Sequence, residues 1–373
     1  MPGMTYEDSG VNYANVDPFK ILAQKAGKET AWCLEEYSQC KEVGWSRGES
    51  CYLIEFPGAF LAHVEEGLGT KNLVADAMEE ISLGMQSYYA WIAQCTVAMI
   101  VNDMATVGAQ PLSAAMHLAV GSSDWFKNQL RTQSLVAGWR NACVVARCAW
   151  GGGETPTLPD IVLANAAVLS GSAIGIVTPK ERVIKCSIRS GDAIVLVESS
   201  GVHANGLTLC RKIAAKLGQG YQTIVETETG ARTFGEALLV PTHIYVALVQ
   251  DCLDADIDIH YAVNITGHGW RKLMRAVEPF VYVIESIPEP HPIFKFIQEN
   301  GPVTETEMYG NFNMGAGFAL FVPQSDVAEV IRIATDCGSN ALCGGYVEKR
   351  GDEKKVIIEP KNLVFESEAL QVR

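Results

Sequence analysis

At 373 residues, with 48% hydrophobic and 19% charged side chains, the chain can fill more than one core and does not belong to the disordered class. A net charge of −14 excludes the broad basic surface that nucleic acid or an anionic membrane would need, yet it leaves room for phosphate ligands held by a few local cations, helix N-termini or a divalent metal. Eleven scattered cysteines form no CxxC pair and the opening MPGMTYEDSG is not a signal peptide, so reduced thiols in a cytoplasm are expected rather than disulfides or zinc.

After a polar N-terminal arm, CYLIEF (51–56) and AFLAHV (59–64) read as strands joined by a Pro-Gly turn. EEGLGTK (65–71) follows, with Glu66, two glycines, Thr70 and Lys71 at the entrance to a helix. Backbone donors and a helix N-terminus suit a nucleotide phosphate, and a carboxylate suits Mg²⁺, although the spacing is not that of a Walker A loop. Residues 72–107 read as helical and increasingly apolar. The longest apolar stretch, YAWIAQCTVAMIV (89–101), is too short to span a bilayer. Asn102 and Asp103 interrupt it, and a carboxylate in such a helix needs a partner or a metal. LSAAMHLAV (112–120) has strand character and 124–146 helical spacing. GGGET (151–155) reads as a three-glycine turn, in which Gly152 and Gly153 bring Glu154 between two apolar runs. Glu66, Asp103 and Glu154 are therefore expected to gather round one Mg²⁺.

The run at 161–177 completes a first unit. The charged stretch TPKERVIKCSIRSGD (178–192) marks the boundary, so residues 1–180 and 181–373 are expected to form two domains. The second half opens with a buried strand, AIVLVES (193–199). A turn bearing Ser199, Ser200, His203 and Asn205 leads into a helix over 207–218. A long loop is expected over 219–236 and a helix from Thr242, after Pro241. Strand-like segments at 258–264, 280–286, 317–323 and 344–349 alternate with helical ones such as 326–336. ITGHGW (265–270) and FNMGAGF (312–318) are glycine turns with Thr266, His268 and Asn313. Both halves mix strands and helices, which predicts an α/β protein of mixed α+β type without a short repeat.

Taken in order, the motifs resemble those of the aminoimidazole ribonucleotide synthetase (phosphoribosylformylglycinamidine cyclo-ligase) family. The resemblance runs through TYEDSGVN (5–12), EGLGTK (66–71), ND…GAQPL (102–112), GGET (152–155), SSGVHANGLTLCRK (199–212), LLVPTHIYV (238–246), the ITG turn (265–267) and MYGNFNMGAGF (308–318). It covers nearly the whole chain. It implies an N-terminal sheet-plus-helices domain that pairs across a homodimer, with ATP near that junction, and a C-terminal α/β sandwich-like domain. It also implies a small ribonucleotide substrate and a reaction in purine biosynthesis. ATP phosphorylates the amide oxygen of formylglycinamidine ribonucleotide, and ring closure then expels phosphate.

On the same resemblance, Glu66, Asp103 and Glu154 are expected to hold the metal and the ATP phosphates. Thr70, Lys71, Asn102, Gly152 and Gly153 would stand beside them. His203, Asn205, Thr266 and Asn313 are candidates for the ribonucleotide, with Asp103, His203 and Asn205 in catalytic roles. Lys20 or Lys28 would correspond to a basic residue of the arm folded over ATP. The sequence departs from the family pattern at VGWSRGES (43–50), where Arg47 stands in a glycine-rich loop, and at the TGHG turn, where His268 replaces glycine. Glu66 replaces the family's aspartate, and PTLPD with Asp160 follows GGET. These departures keep two other readings open: a phosphotransfer enzyme of the superfamily with another acceptor, and a non-catalytic nucleotide-binding paralogue.

Overall fold

A computed structural model describes residues 4, 5, 7, 10 and 12–370, with the side chain of Tyr13 excepted. Much of the TYEDSGVN motif (Tyr6, Asp8, Ser9 and Val11) therefore lies outside the described residues. The first half runs α1 (Tyr13–Lys28), β1 (Lys41–Glu42), β2 (Tyr52–Phe56), β3 (Ala59–Gly67), α2 (Lys71–Ile81), α3 (Tyr89–Ala105), β4 (Gln110–Val120), α4 (Gln129–Val145), β5 (Ala149–Glu154) and β6 (Ala167–Val177). Its strands form one sheet in the order β1-β2-β3-β6-β4-β5, with β4 and β5 the parallel pair. Side chains alternate along it. Ala62, Val64, Leu169 and Ala173 face inward, while Leu61, Val168 and Ile174 remain 36%, 50% and 57% exposed. On the inner face α3 packs against β3, β4 and β6 and is flanked by α4, which explains its all-round apolar sequence. At Gly138 a Cβ would collide with the Ala90 backbone, so glycine sets the close approach of α3 and α4.

Three expectations change here. The helical span 72–107 is two helices, broken where Leu83 and Gly84 take positive φ values of 54° and 76°. The N-terminal arm contains a 16-residue helix, α1. GGGE is an edge strand and not a turn: Gly152 pairs with Ala115, Gly153 with Met116 and Glu154 with His117. A Cβ on Gly153 would strike the Met116 carbonyl, so glycine lets this strand lie against β4.

The second half runs β7 (Ala193–Glu198), α5 (Leu207–Ala214), β8 (Ile224–Val225), β9 (Arg232–Thr233), α6 (Phe234–Leu239), α7 (Val246–Asp254), β10 (Tyr261–Asn264), β11 (Val281–Ile284), α8 (Pro292–Asn300), α9 (Glu305–Asn311), β12 (Ala316–Val322), α10 (Val327–Asp336), β13 (Ala341–Glu348), β14 (Lys355–Ile358) and β15 (Leu363–Glu366). Its seven-stranded sheet has the order β10-β12-β7-β13-β11-β14-β15. Every residue of β10, β11 and β12 is buried, in keeping with largely apolar strands (YAVN, VYVI and AGFALFV) that are covered on both faces. The stretch read as a long loop holds the β8–β9 hairpin and the start of α6. Thr233 and Glu236 cap that helix reciprocally, a T-x-x-E signal visible in the sequence.

The helix expected from Thr242 begins at Val246, because residues 241–245 serve another purpose. They run along α3. Gln94 Nε2 donates to the Thr242 carbonyl (3.0 Å), Asn102 Nδ2 donates to the His243 carbonyl (2.8 Å), and Asn102 Oδ1 accepts from Tyr245 N–H (2.8 Å). Eight residues apart, Gln94 and Asn102 share one helix face. This strip joins the halves, together with α2 against α5 and α6, and α3 against α7 and β10. Among the described residues no helix is long and apolar enough to cross a membrane.

Candidate active site

Both halves line a cavity of about 330 Å³ at their junction. From the first half come Glu66, on the inward row of β3, and Asp103, in the last turn of α3. Glu49 and Ser50 of the 43–50 loop and Lys20 of α1 join them. The second half adds Asn205, Asn264 at the end of β10, the turn Thr266–His268, Lys272 and Arg275. The TGHG turn is shaped by two consecutive left-handed residues, His268 at φ 70° and Gly269 at φ 51°. At Gly269 a Cβ would collide with the Tyr309 carbonyl, so glycine is required there. The histidine tolerates its conformation at a cost of about 1 kcal/mol.

One network links the walls. Asn264 Nδ2 donates to Asp103 Oδ1 (2.7 Å), and its carbonyl accepts from Lys272 Nζ (3.4 Å), which also donates to Thr266 Oγ1. Arg275 donates to Ser50 Oγ (3.0 Å) and to the Gly48 carbonyl (2.8 Å), and Tyr261 OH donates to Glu49 (2.8 Å). The first-half wall is thus acidic and the second-half wall basic. Burial, then the charge of Asp103, pushes Glu66 up to about 7. Burial also raises Asp103, against the pull of Lys272 and the Asn264 hydrogen bond. Lys272 is pushed down to about 8 by burial, opposed by Asp103. Burial, then Arg271 and Lys272, takes His268 down to about 4, so its imidazole is neutral where it faces Asp17 at 3.4 Å.

Glu66, Asp103, Asn205 and Thr266 meet in this cavity, as does Lys20 rather than Lys28. The other expected site residues lie elsewhere. Lys71 is fully buried, and its ammonium donates to the carbonyls of His203 (2.6 Å) and Val240 (2.8 Å), so it ties the halves together. Asn102 holds the 241–245 strip. Thr70 sits 3.2 Å from the hydroxyl of Thr208. His203 is buried, with Nε2 accepting from Ser200 N–H (3.1 Å), and burial, then the neighbouring His243, holds it neutral far below its ordinary pKa. Asn313 accepts from Ser199 Oγ (2.9 Å) and Gly315 N–H (3.0 Å) and donates to the Gly201 carbonyl (2.8 Å), which shapes two glycine turns. Arg47 pairs with Glu42 and lies over the Tyr52 ring, so it is not the loop's cation in the cavity.

Glu154 is the largest departure. It is exposed on β5, in register with His117 of β4 and Ser170 of β6. Glu66 stands one row over, level with Gly171, Met116 and Gly153. Adjacent rows point to opposite faces, and β3 and β5 are three strand steps apart, roughly 14 Å. Within one chain the three carboxylates do not converge. Among the described residues no three His, Cys, Asp or Glu side chains gather as a metal site. Glu66 and Asp103 alone still suit Mg²⁺, which takes one or two carboxylates and completes its shell with water and phosphate. Sequence reasoning missed Glu49, Asn264, Lys272 and Arg275. The last two had a signal, R-K-x-x-R directly after a glycine turn.

Residues 48–177 match the AIR synthase related protein, N-terminal domain, and residues 189–357 the AIR synthase related protein, C-terminal domain. The chain is similar to the phosphoribosylformylglycinamidine cyclo-ligase of Methanocaldococcus jannaschii, 33% identical over 95% of this chain and 100% of the relative. It is also similar to the enzyme of that name from Carboxydothermus hydrogenoformans, 36% identical over 96% and 99%. Among solved structures, a crystal structure of a HypE–HypF complex aligns with a TM-score of 0.58 at 14% identity, covering 85% of this chain and 92% of that one. Thermotoga maritima PurL complexed with ATP aligns at 0.53 and 12%, covering 84% and 44%. These two likenesses show the fold.

Proposed function

The chain belongs to the AIR synthase related protein family, and from that premise we propose how its cavity works. It is an ATP-dependent ligase of purine biosynthesis that converts formylglycinamidine ribonucleotide to aminoimidazole ribonucleotide. We place it in the cytoplasm and divide it at 180/181 into an ATP-binding, dimerising domain and a C-terminal α/β domain. The observation that carries the reading is the opposition of Glu66 and Asp103 to Lys272 and Arg275 in one cavity. An acidic wall holds a metal and a basic wall holds phosphate, and phosphoryl transfer needs both in one place.

Glu66 and Asp103 would hold Mg²⁺, which neutralises the nucleotide phosphates when bound. Burial keeps Glu66 protonated in much of the metal-free protein near pH 7, so binding the cation releases a proton. Asn264 fixes the Asp103 carboxylate, and Lys20 covers the cavity from α1. Asn205 and Thr266 face the acceptor. His203, Lys71, Asn102 and Asn313 act as positioning residues that fix the turns and the junction. Glu154 reaches the nucleotide only from the partner subunit, because its own chain turns it to the opposite face. The open face that carries it, with Leu61, Val168 and Ile174, would be covered by a second copy.

The test is turnover. Purified protein given ATP, Mg²⁺ and formylglycinamidine ribonucleotide should yield ADP and aminoimidazole ribonucleotide together. ADP without the imidazole product would refute the assignment of substrate. Asp103→Asn should abolish turnover without unfolding the protein, and unimpaired turnover would remove Asp103 from the metal site.

A further inference from the structure

We propose that Lys272 is a catalytic residue of the phosphoryl transfer, its ammonium touching the phosphoryl group in passage from nucleotide to acceptor; this rests on the cyclo-ligase reading above. Four cations lie near enough to be considered. Lys71 is sealed against two carbonyls outside the cavity, Lys20 is paired with Asp17 (3.0 Å) on α1, and Arg275 braces the 43–50 loop through the Gly48 carbonyl and Ser50. Lys272 lines the cavity, and its charge acts on both Asp103 and Glu66. It therefore stands where the metal-bearing wall meets the acceptor wall.

Its seat is fixed from two sides. Thr266 Oγ1 and the Asn264 carbonyl take two of its three N–H donors, and Asn264 holds Asp103 by its side chain. One donor remains for a ligand. The ammonium and the carboxylate are thereby set by the same residue, so a phosphoryl group between them meets a prearranged field. A compact point charge suits this task better than a planar guanidinium, because it can follow an oxygen without a fixed fork geometry.

In the first step the bond from the terminal phosphorus to the bridging oxygen breaks, and ADP departs with the electron pair. The formyl oxygen forms the new P–O bond while the formamide N–H proton is lost to solvent. In the second step the ribosyl-bearing amidine nitrogen attacks the former formyl carbon. The C–O bond then breaks, and phosphate leaves with that oxygen and the electron pair as the nitrogen gives up its proton. Negative charge on the same three phosphoryl oxygens must be met in both steps, and one fixed cation serves both.

The experiment compares Lys272→Met and Lys272→Arg with the parent, reading kcat, both KM values and the melting temperature. Lys272→Met should lower kcat about 10²–10³-fold while each KM stays within about threefold. Lys272→Arg should recover about tenfold of that loss, as a retained charge in imperfect geometry would. Unchanged kcat in folded Lys272→Met would overturn the proposal. So would a loss expressed wholly as a raised KM for the ribonucleotide, which would make Lys272 an anchor for the substrate's own phosphate. If Lys272→Met does not fold, Lys272→Gln keeps a polar side chain in the seat without the charge; it should cut kcat about 10²-fold, and a folded variant with parental kcat sinks the proposal. Parent protein that forms no aminoimidazole ribonucleotide would defeat the underlying reading, whereas parental turnover with an indifferent Lys272→Met defeats this inference only.

Discussion

In the second sheet, β7 and β12 leave almost nothing to solvent, and residues such as Val195 and Phe318 are completely enclosed. In the first sheet, every other residue of β3 and β6 faces out, and Val168 and Ile174 are half exposed. One sheet is finished by the helices of its own chain. Among the described residues, the α-helices α3 and α4 pack on the inner face of the other, and the row that carries Glu154 lies on the opposite side. The contrast separates a sheet that the chain encloses by itself from an open face that the proposed second copy would cover.

The sharpest way to break that comparison is to place the same charge in each sheet. Val195→Asp buries a carboxylate with no partner and should cost about 4 kcal/mol or more, leaving insoluble or unfolded protein. Soluble protein with a parental melting temperature would contradict the closed core. Ile174→Asp should instead leave the monomer folded and raise the dimer dissociation constant about 10²-fold, or ~3 kcal/mol. Sedimentation at graded concentrations reads this directly, and a parental profile would show that the open face is not the dimer contact. Subunit mixing sharpens the same point. Asp103→Asn and Glu154→Gln should each be inactive, yet their mixture should regain roughly a quarter of parental turnover, because half of randomly paired dimers hold one intact site. No regain would place Glu154 outside the partner's site.

A smaller effect tests the acidic wall. Glu66 moves from 4.5 to about 7 on folding, so the folded state binds the extra proton. Its contribution to stability is complete below pH about 4.5 and is lost as pH rises through about 7, a change on the order of 3 kcal/mol. With EDTA present, Glu66→Gln should therefore be the more stable protein at pH 8 by about that amount, with no advantage at pH 4. Equal denaturation midpoints at pH 8 would mean the carboxylate is not held in a costly site. Smallest is His268→Gly. Relief of the left-handed strain and loss of the contact with Asp17 should nearly cancel, leaving stability within about 1 kcal/mol. A larger drop would show that Asp17 depends on the imidazole to dock α1.

Most of the strands and the principal helices were legible because alternation and helical spacing are local. The misses have particular causes. GGGE read as a turn because three glycines mark loops, yet here they let a strand approach the β4 backbone. Residues 242–245 read as helix because nothing local shows that Gln94 and Asn102 will claim their backbone groups. Lys71 read as a phosphate ligand because its motif could not reveal two carbonyls contributed by residues more than a hundred positions away. Lys272 and Arg275 went unread because their value depends on facing Glu66 and Asp103 across the junction.

By itself the sequence determined most of the elements, the family and the chemical kinds of groups expected in the site, since these follow from composition, period and motif. Tertiary structure alone decided which groups meet. Along a strand one residue's shift reverses the face, and strand pairing sets that shift across long stretches of chain. Glu66 therefore points into the cavity, and Glu154, with an equal carboxylate and an equal motif, points away from it.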